Sequence, residues 1–138
     1  MPRSRLRFGS GMIAVDTNVV VRLLARDDDD QTHRARRLFE RSSIWIGKTV
    51  ILETEWVMRR IYELPQDEFA DAIEALDGLP NVQFEDRFDV LQAVEWVRDG
   101  FDFADALHLA GCEGRQFASF DRALARKALK AGLDFVTP

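Results

Sequence analysis

Met12-Ile13-Ala14-Val15-Asp16-Thr17-Asn18-Val19-Val20-Val21 is the most telling stretch of this chain. Four apolar residues end in an acid, and a second apolar run follows at once, with Leu23 and Leu24 just beyond Arg22. That pattern reads as a buried parallel strand passing straight into a helix. In an open α/β sheet, ligands collect in the crevice outside the carboxyl ends of the strands, which puts Asp16 where chemistry is usually done. A helix N-cap supplied by Asp16 or Thr17 is the structural alternative. The choice turns on whether other acids gather at equivalent places.

Working outward, short apolar strands alternate with helical segments. A helix is expected from the first strand, at 13–16, to about Leu24, and Asp27 to Asp30 can cap another over residues 30–42. Ile44-Trp45-Ile46 is a strand, and Thr49 to about Glu63 a helix stopped by Pro65. The next helix runs from Gln66 to Leu76 and is closed by Gly78 and Pro80. A short strand at Asn81 to Phe84 leads to an amphipathic helix, Asp86 to Arg98, with Phe88, Leu91, Val94, Trp96 and Val97 as its apolar residues. A helix from Phe103 to Glu113, a strand from Phe117 to Phe120, a basic helix from Arg122 to Lys130 and a strand from Asp134 to Val136 complete the pattern. Repeated strand–helix order predicts an α/β fold, a three-layer α/β/α domain with a mainly parallel central sheet.

A chain of 138 residues is expected to be a single domain over residues 12–138, able to bury roughly 70% of its unfolded surface. Residues 1–11 carry no periodic pattern and read as a flexible extension. Cys112, the single cysteine, excludes an internal disulfide and fits a reducing compartment. Asp16, Asn18 and Arg22 interrupt the apolar run after Arg3, Arg5 and Arg7 too early for an export signal, and no stretch approaches the roughly 18 apolar residues of a membrane span. A cytoplasmic protein without membrane contact is expected. The net charge of −5 argues against a protein that coats nucleic acid through a broad basic face. It leaves open an acidic site that meets phosphate through divalent cations.

Four acids stand where structure alone explains them poorly. Glu53 shares a helical face with Val50, Trp56, Val57 and Ile61, so it is expected to point toward apolar surroundings, while Glu55, paired with Arg59, is expected at the surface. An unpaired buried carboxylate is costly without a partner or a metal. Asp102 and Asp105 open the Phe103 helix. Asp102 reads as its cap, and Asp105, on the side of Leu109, as a site residue. Asp121 follows the strand Phe117-Ala118-Ser119-Phe120 as Asp16 follows its own, and is also placed to cap the next helix. Together Asp16, Glu53, Asp105 and Asp121 describe a metal site. Hard oxygen donors without histidine or thiolate suit Mg2+ or Mn2+. His108 and Cys112 share a face with Asp105, but with no CxxC and no second histidine nearby a zinc set is disfavoured.

The segments Val15-Asp16-Thr17-Asn18, Leu52-Glu53-Thr54-Glu55-Trp56-Val57-Met58-Arg59, Asp102-Phe103-Ala104-Asp105-Ala106-Leu107-His108 and Ser119-Phe120-Asp121-Arg122 together resemble PIN-domain ribonucleases, most closely the VapC toxins of VapBC toxin–antitoxin pairs. The resemblance spans about residues 12–138. It implies an acidic quartet of Asp16, Glu53, Asp105 and Asp121, with Thr17 or Asn18, and Ser119, as polar helpers. Ser119 stands where the family more often has Thr and keeps the hydroxyl. The resemblance further implies Mg2+-dependent hydrolysis of transfer or messenger RNA, a homodimer, and inhibition by a cognate VapB-type antitoxin whose tail enters the acidic groove. Asp16 and Asp105 are the expected direct ligands, with Glu53 and Asp121 holding a second ion or orienting water.

Two basic rows are candidates for RNA contact. Arg34, Arg37 and Arg41 read as a solvated face, whereas Arg122, Arg126 and Lys130 begin beside Asp121 and are the favoured phosphate-binding row. Other classes fit less well. A haloacid-dehalogenase-type phosphatase wants a second Asp where Asn18 stands. A receiver domain needs an acidic pair before the first strand, and Gly9-Ser10-Gly11 precedes a strand, so it makes no dinucleotide loop. The remaining alternative is a PIN-like module that binds RNA or protein without cutting.

Overall fold

A computed structural model describes residues 11–25, 27 and 29–138, so the expected extension lies outside the described residues except for Gly11. The chain divides into two compact units, Met1–Arg87 and Phe88–Pro138.

The first unit is built on three parallel strands in the order β1 (Ile13–Ala14), β2 (Ile44–Ile46), β3 (Val82–Phe84). Ile13 pairs with Ile44, and Ile44 in turn with Val82. Parallel neighbours require crossovers, supplied here by α1 (Thr17–Ala25) and α2 (Asp30–Arg41) between β1 and β2, and by α3 (Lys48–Arg60) and α4 (Gln66–Asp77) between β2 and β3. Ile44 and Ile46 are fully buried and Trp45 between them is half-buried, the alternation a pleated strand imposes. Val20, Ile51, Met58, Phe69, Ile73, Leu76 and Phe84 complete the core. β1 is shorter than expected, although Val15 still donates its N–H to the Trp45 carbonyl, 3.3 Å away.

The helix ends follow their local chemistry. Asp29 caps α2 by accepting the Thr32 N–H at 2.8 Å, and that bond holds its carboxyl below the usual carboxylate range. Pro65 stands at the start of α4 with Asp67 and Glu68 in the first turn, and Gly78 closes it. The Asn81 amide donates to the carbonyls of Phe39 and Ser42 at 2.6 and 2.8 Å, fixing the end of α2 beside the entry to β3.

In the second unit α5 (Arg87–Arg98) and α6 (Phe103–Ala110) precede two parallel strands, β4 (Phe117–Ala118) and β5 (Phe135–Val136), joined through α7 (Arg122–Lys130). Phe117 pairs with Phe135, with their ring centroids 6.0 Å apart. Val90, Val94, Phe101, Phe103, Ala106 and Ala128 form the core. Phe88 departs from the expected apolar face and is 80% exposed. The buried arc of α5 is Val90, Ala93, Val94 and Val97, and Phe88 lies on the other side of the helix, about 200° before Val90. α6 stops at Ala110, three residues short of expectation, because Gly111 closes it and Glu113 and Gly114 both take positive φ in the following turn.

Candidate active site

In the first unit Asp16 leaves the carboxyl end of β1, and its backbone carbonyl accepts the Val19 N–H at 3.0 Å to begin α1. Its side chain accepts the N–H of Thr17, the next residue, at 2.7 Å. That differs from the three side-chain caps elsewhere. Asp29, Asp102 and Asp121 each accept from the residue three positions on, Thr32, Asp105 and Leu124. Asp16 is exposed, and its second carboxylate oxygen has no partner among the described residues.

Glu53 is where expectation fails. It is exposed, and Glu55, expected at the surface, is 2% exposed. The buried arc of α3 runs through Ile51, Thr54, Glu55 and Met58, about 90° around the helix from Val50, Val57 and Ile61, so Glu53 and Trp56 fall on its outer side. Glu55 accepts from Arg59 Nε at 2.9 Å, the expected pair, and from Gln66 Nε2 at 2.8 Å, tying α3 to the first residue of α4. Glu53 accepts instead from the hydroxyl of buried Thr17, so the start of α1 orients a carboxylate carried by α3. Both candidate site acids of this unit, Asp16 and Glu53, thus meet Thr17, at the α1 terminus where the helix dipole favours negative charge. Asn18 makes no side-chain hydrogen bond among the described residues; it lines a cavity of about 360 Å³ between α1 and α2, with Arg22 and Gln31.

In the second unit Asp102 caps α6 as expected, accepting the Asp105 N–H at 3.2 Å. Asp105 is half-buried, and its carboxyl lies above the usual carboxylate range, chiefly through desolvation and then through the negative charges of Asp102 and Asp121. His108 and Lys127 oppose that rise without cancelling it. Asp121 follows β4, caps α7 through Leu124 N–H at 3.0 Å, and has its own N–H bonded to Ser119 Oγ at 3.0 Å. Ser119 therefore shapes the turn that presents Asp121.

Among the described residues no three His, Cys, Asp or Glu side chains converge closely enough to hold a metal ion by themselves. The donor chemistry nonetheless fits a hard divalent cation: Asp105 is raised by desolvation and then by two neighbouring carboxylates, both of which a cation offsets, and Asp16 keeps an unused oxygen. It does not fit zinc. Cys112 lies past the end of α6 and donates its thiol to the Arg115 carbonyl at 3.4 Å, and His108 is exposed. Of the first basic row only Arg34 has a carboxylate partner among the described residues, Asp30, while Arg37 and Arg41, like Arg122, Arg126 and Lys130 on α7, are exposed without one.

Parallel strands joined through helices, with Asp16 and Asp121 just beyond the ends of β1 and β4, define an α/β protein. The PIN domain family matches residues 13–130, and the chain belongs to that family, whose fold is the expected three-layer α/β/α arrangement. PIN domains are generally nucleases and usually employ divalent metal ions. No curated protein matches the chain. Among the described residues no helix is long and apolar enough to cross a membrane.

Proposed function

We propose that this chain is a metal-dependent endoribonuclease of the VapC toxin type, cytoplasmic and homodimeric, which hydrolyses phosphodiester bonds of transfer or messenger RNA and is neutralised by a cognate VapB-type antitoxin. One observation carries the reading: the family match over residues 13–130 includes Asp16, Glu53, Asp105 and Asp121, with the hydroxyls of Thr17 and Ser119 beside two of them. Capping accounts for Asp121 but not for exposed Asp16 and Glu53 or half-buried Asp105, so the non-catalytic alternative is the weaker reading.

Mg2+, or Mn2+ in its place, when bound supplies an activated water and offsets charge building on the phosphate. Asp16 and Asp105 are the residues that would hold it in this reading. Thr17 holds Glu53 toward the reacting phosphate by donating to one carboxylate oxygen, leaving the other to orient water or a second ion. Asp121, whose backbone N–H is held by Ser119 Oγ, is the fourth acid of this reading and would orient water or a second ion. Arg122, Arg126 and Lys130 attract the RNA backbone.

The test is incubation of a total-RNA pool with purified protein in Mg2+, Mn2+ or EDTA, beside Asp16→Asn. Discrete fragments that require metal and are absent with the variant support the nuclease. Intact RNA from every sample, with folded protein that binds RNA, favours the binding module.

A further inference from the structure

Two exposed aromatic rings stand next to candidate catalytic acids, and each has an arginine without a carboxylate partner beside it. On α3, Trp56 lies one turn beyond Glu53 and is 49% exposed, with the Arg60 guanidinium 5.3 Å from its ring centroid. Glu53, Trp56 and Arg60 fall within about 60° of one another around the helix. Arg59, next door, is committed to Glu55, whereas Arg60 has no carboxylate partner among the described residues. In the second unit Phe120 is 75% exposed between Ser119 and Asp121, and Arg122, which follows, also has no such partner. Trp56 is the one exposed aromatic side chain among the described residues of the first unit.

Scattered exposed hydrophobes need no special explanation. An acid, an exposed ring and an arginine without a carboxylate partner occurring together in each unit, one turn apart on α3 and consecutive in sequence at Phe120-Asp121-Arg122, do. Every nucleobase has a π-face that stacks on an aromatic side chain, and an arginine beside the ring adds attraction for the adjoining phosphate. A protein partner seated on these surfaces would have to desolvate the acids and the arginines together, whereas a nucleotide offers a base to the ring and a phosphate to the cation.

We propose that Trp56 and Phe120 stack bases of the RNA substrate beside the candidate acids, and that Arg60 and Arg122 hold the adjoining phosphates. This rests on the nuclease reading and adds to it the residues that grip the substrate. The rings hold bases and the arginines hold backbone, so the two kinds of variant separate in their salt dependence.

The test is binding of a short, unstructured, fluorescein-labelled RNA of mixed sequence in EDTA, where it stays uncut, read by anisotropy and by quenching of tryptophan emission. Trp56→Ala and Phe120→Ala are each expected to weaken binding on the order of tenfold, equivalent to about 1.4 kcal/mol, with the salt slope unchanged. Trp56→Phe and Phe120→Trp restore affinity, and Trp56→Phe removes most of the quenching. Arg60→Ala and Arg122→Ala lower the salt slope by about 1 each. Wild-type affinity in both alanine variants while the wild type still cleaves RNA overturns the stacking and leaves the nuclease standing. A drop in sedimenting mass for Trp56→Ala at unchanged affinity assigns that ring to a protein interface and also overturns it. Failure of the wild type to bind or cut any RNA removes both proposals.

Discussion

The hydroxyl of Thr17 donates to Oε1 of Glu53, a residue 36 positions further along the chain. Thr17 is buried in the first turn of α1 and Glu53 is exposed on α3, so a fixed donor aims a carboxylate that would otherwise sample several rotamers in water.

Thr17→Val keeps the shape and removes the donor. Hydrogen bonds to charged groups contribute about 1.5–3 kcal/mol, less where solvent reaches the acceptor. We expect a stability loss of about 1 kcal/mol or less in urea unfolding and a fall in kcat of on the order of tenfold, with Thr17→Ser close to wild type. Unchanged kcat in the valine variant would separate Glu53 from the chemistry.

Glu55 has the opposite role. It is buried and takes hydrogen bonds from Arg59 and Gln66. Glu55→Ala is expected to cost about 2–3 kcal/mol, toward the lower end because Arg59 is 42% exposed and keeps part of its hydration. RNA affinity and metal dependence should be untouched once temperature is lowered to keep the variant folded.

Asp105 sets a pH dependence. Its folded-state carboxyl is raised above its unfolded value by desolvation and by Asp102 and Asp121. The native chain therefore binds this proton more tightly, and through the window just above the ordinary carboxylate range the unfolded chain holds fewer protons. Stability must decline there as pH rises. In EDTA at neutral pH, Asp105→Asn should raise the Tm, and the gain should vanish in acid, where both states carry the proton. Mg2+ should raise the wild-type Tm and have a smaller effect on the variant. A Tm lower than wild type in EDTA at neutral pH would contradict the charge crowding.

The row on α7 makes a separable prediction. Arg122→Ala with Arg126→Ala should reduce the salt slope of RNA binding by about 2, at little cost in stability because both side chains are exposed. The same pair of changes at Arg34 and Arg37 on α2 should leave the slope near wild type, since Arg34 already answers Asp30 and α2 carries none of the candidate acids.

Much of this architecture is legible locally. Pro65, Gly78 and the caps Asp29, Asp102 and Asp121 mark helix ends through chemistry that acts within a few residues. The inversion on α3 was not legible. That helix carries apolar residues on two adjacent arcs about 90° apart, Val50, Val57 and Ile61 on one and Ile51 and Met58 on the next, so periodicity alone does not choose which is centred on the core. Gln66, eleven positions beyond Glu55, is what satisfies a buried carboxylate there, and only the fold brings it near. The same limit hid the Thr17–Glu53 bond, whose one local sign is a hydroxyl directly after Asp16. Phe88 is not decided by the sequence either, because one aromatic at a helix start can face either way.

The decisive measurement is single-turnover cleavage of the RNA identified from the pool, by the wild type and by Asp16→Asn, Glu53→Gln, Asp105→Asn and Asp121→Asn, each with Mg2+ and with EDTA. We expect cleavage by the wild type only with metal, and a loss on the order of 100-fold or more for every variant at retained RNA affinity. Cleavage in EDTA, or wild-type rates in two or more of the variants, would contradict a metal-dependent nuclease built on these four acids.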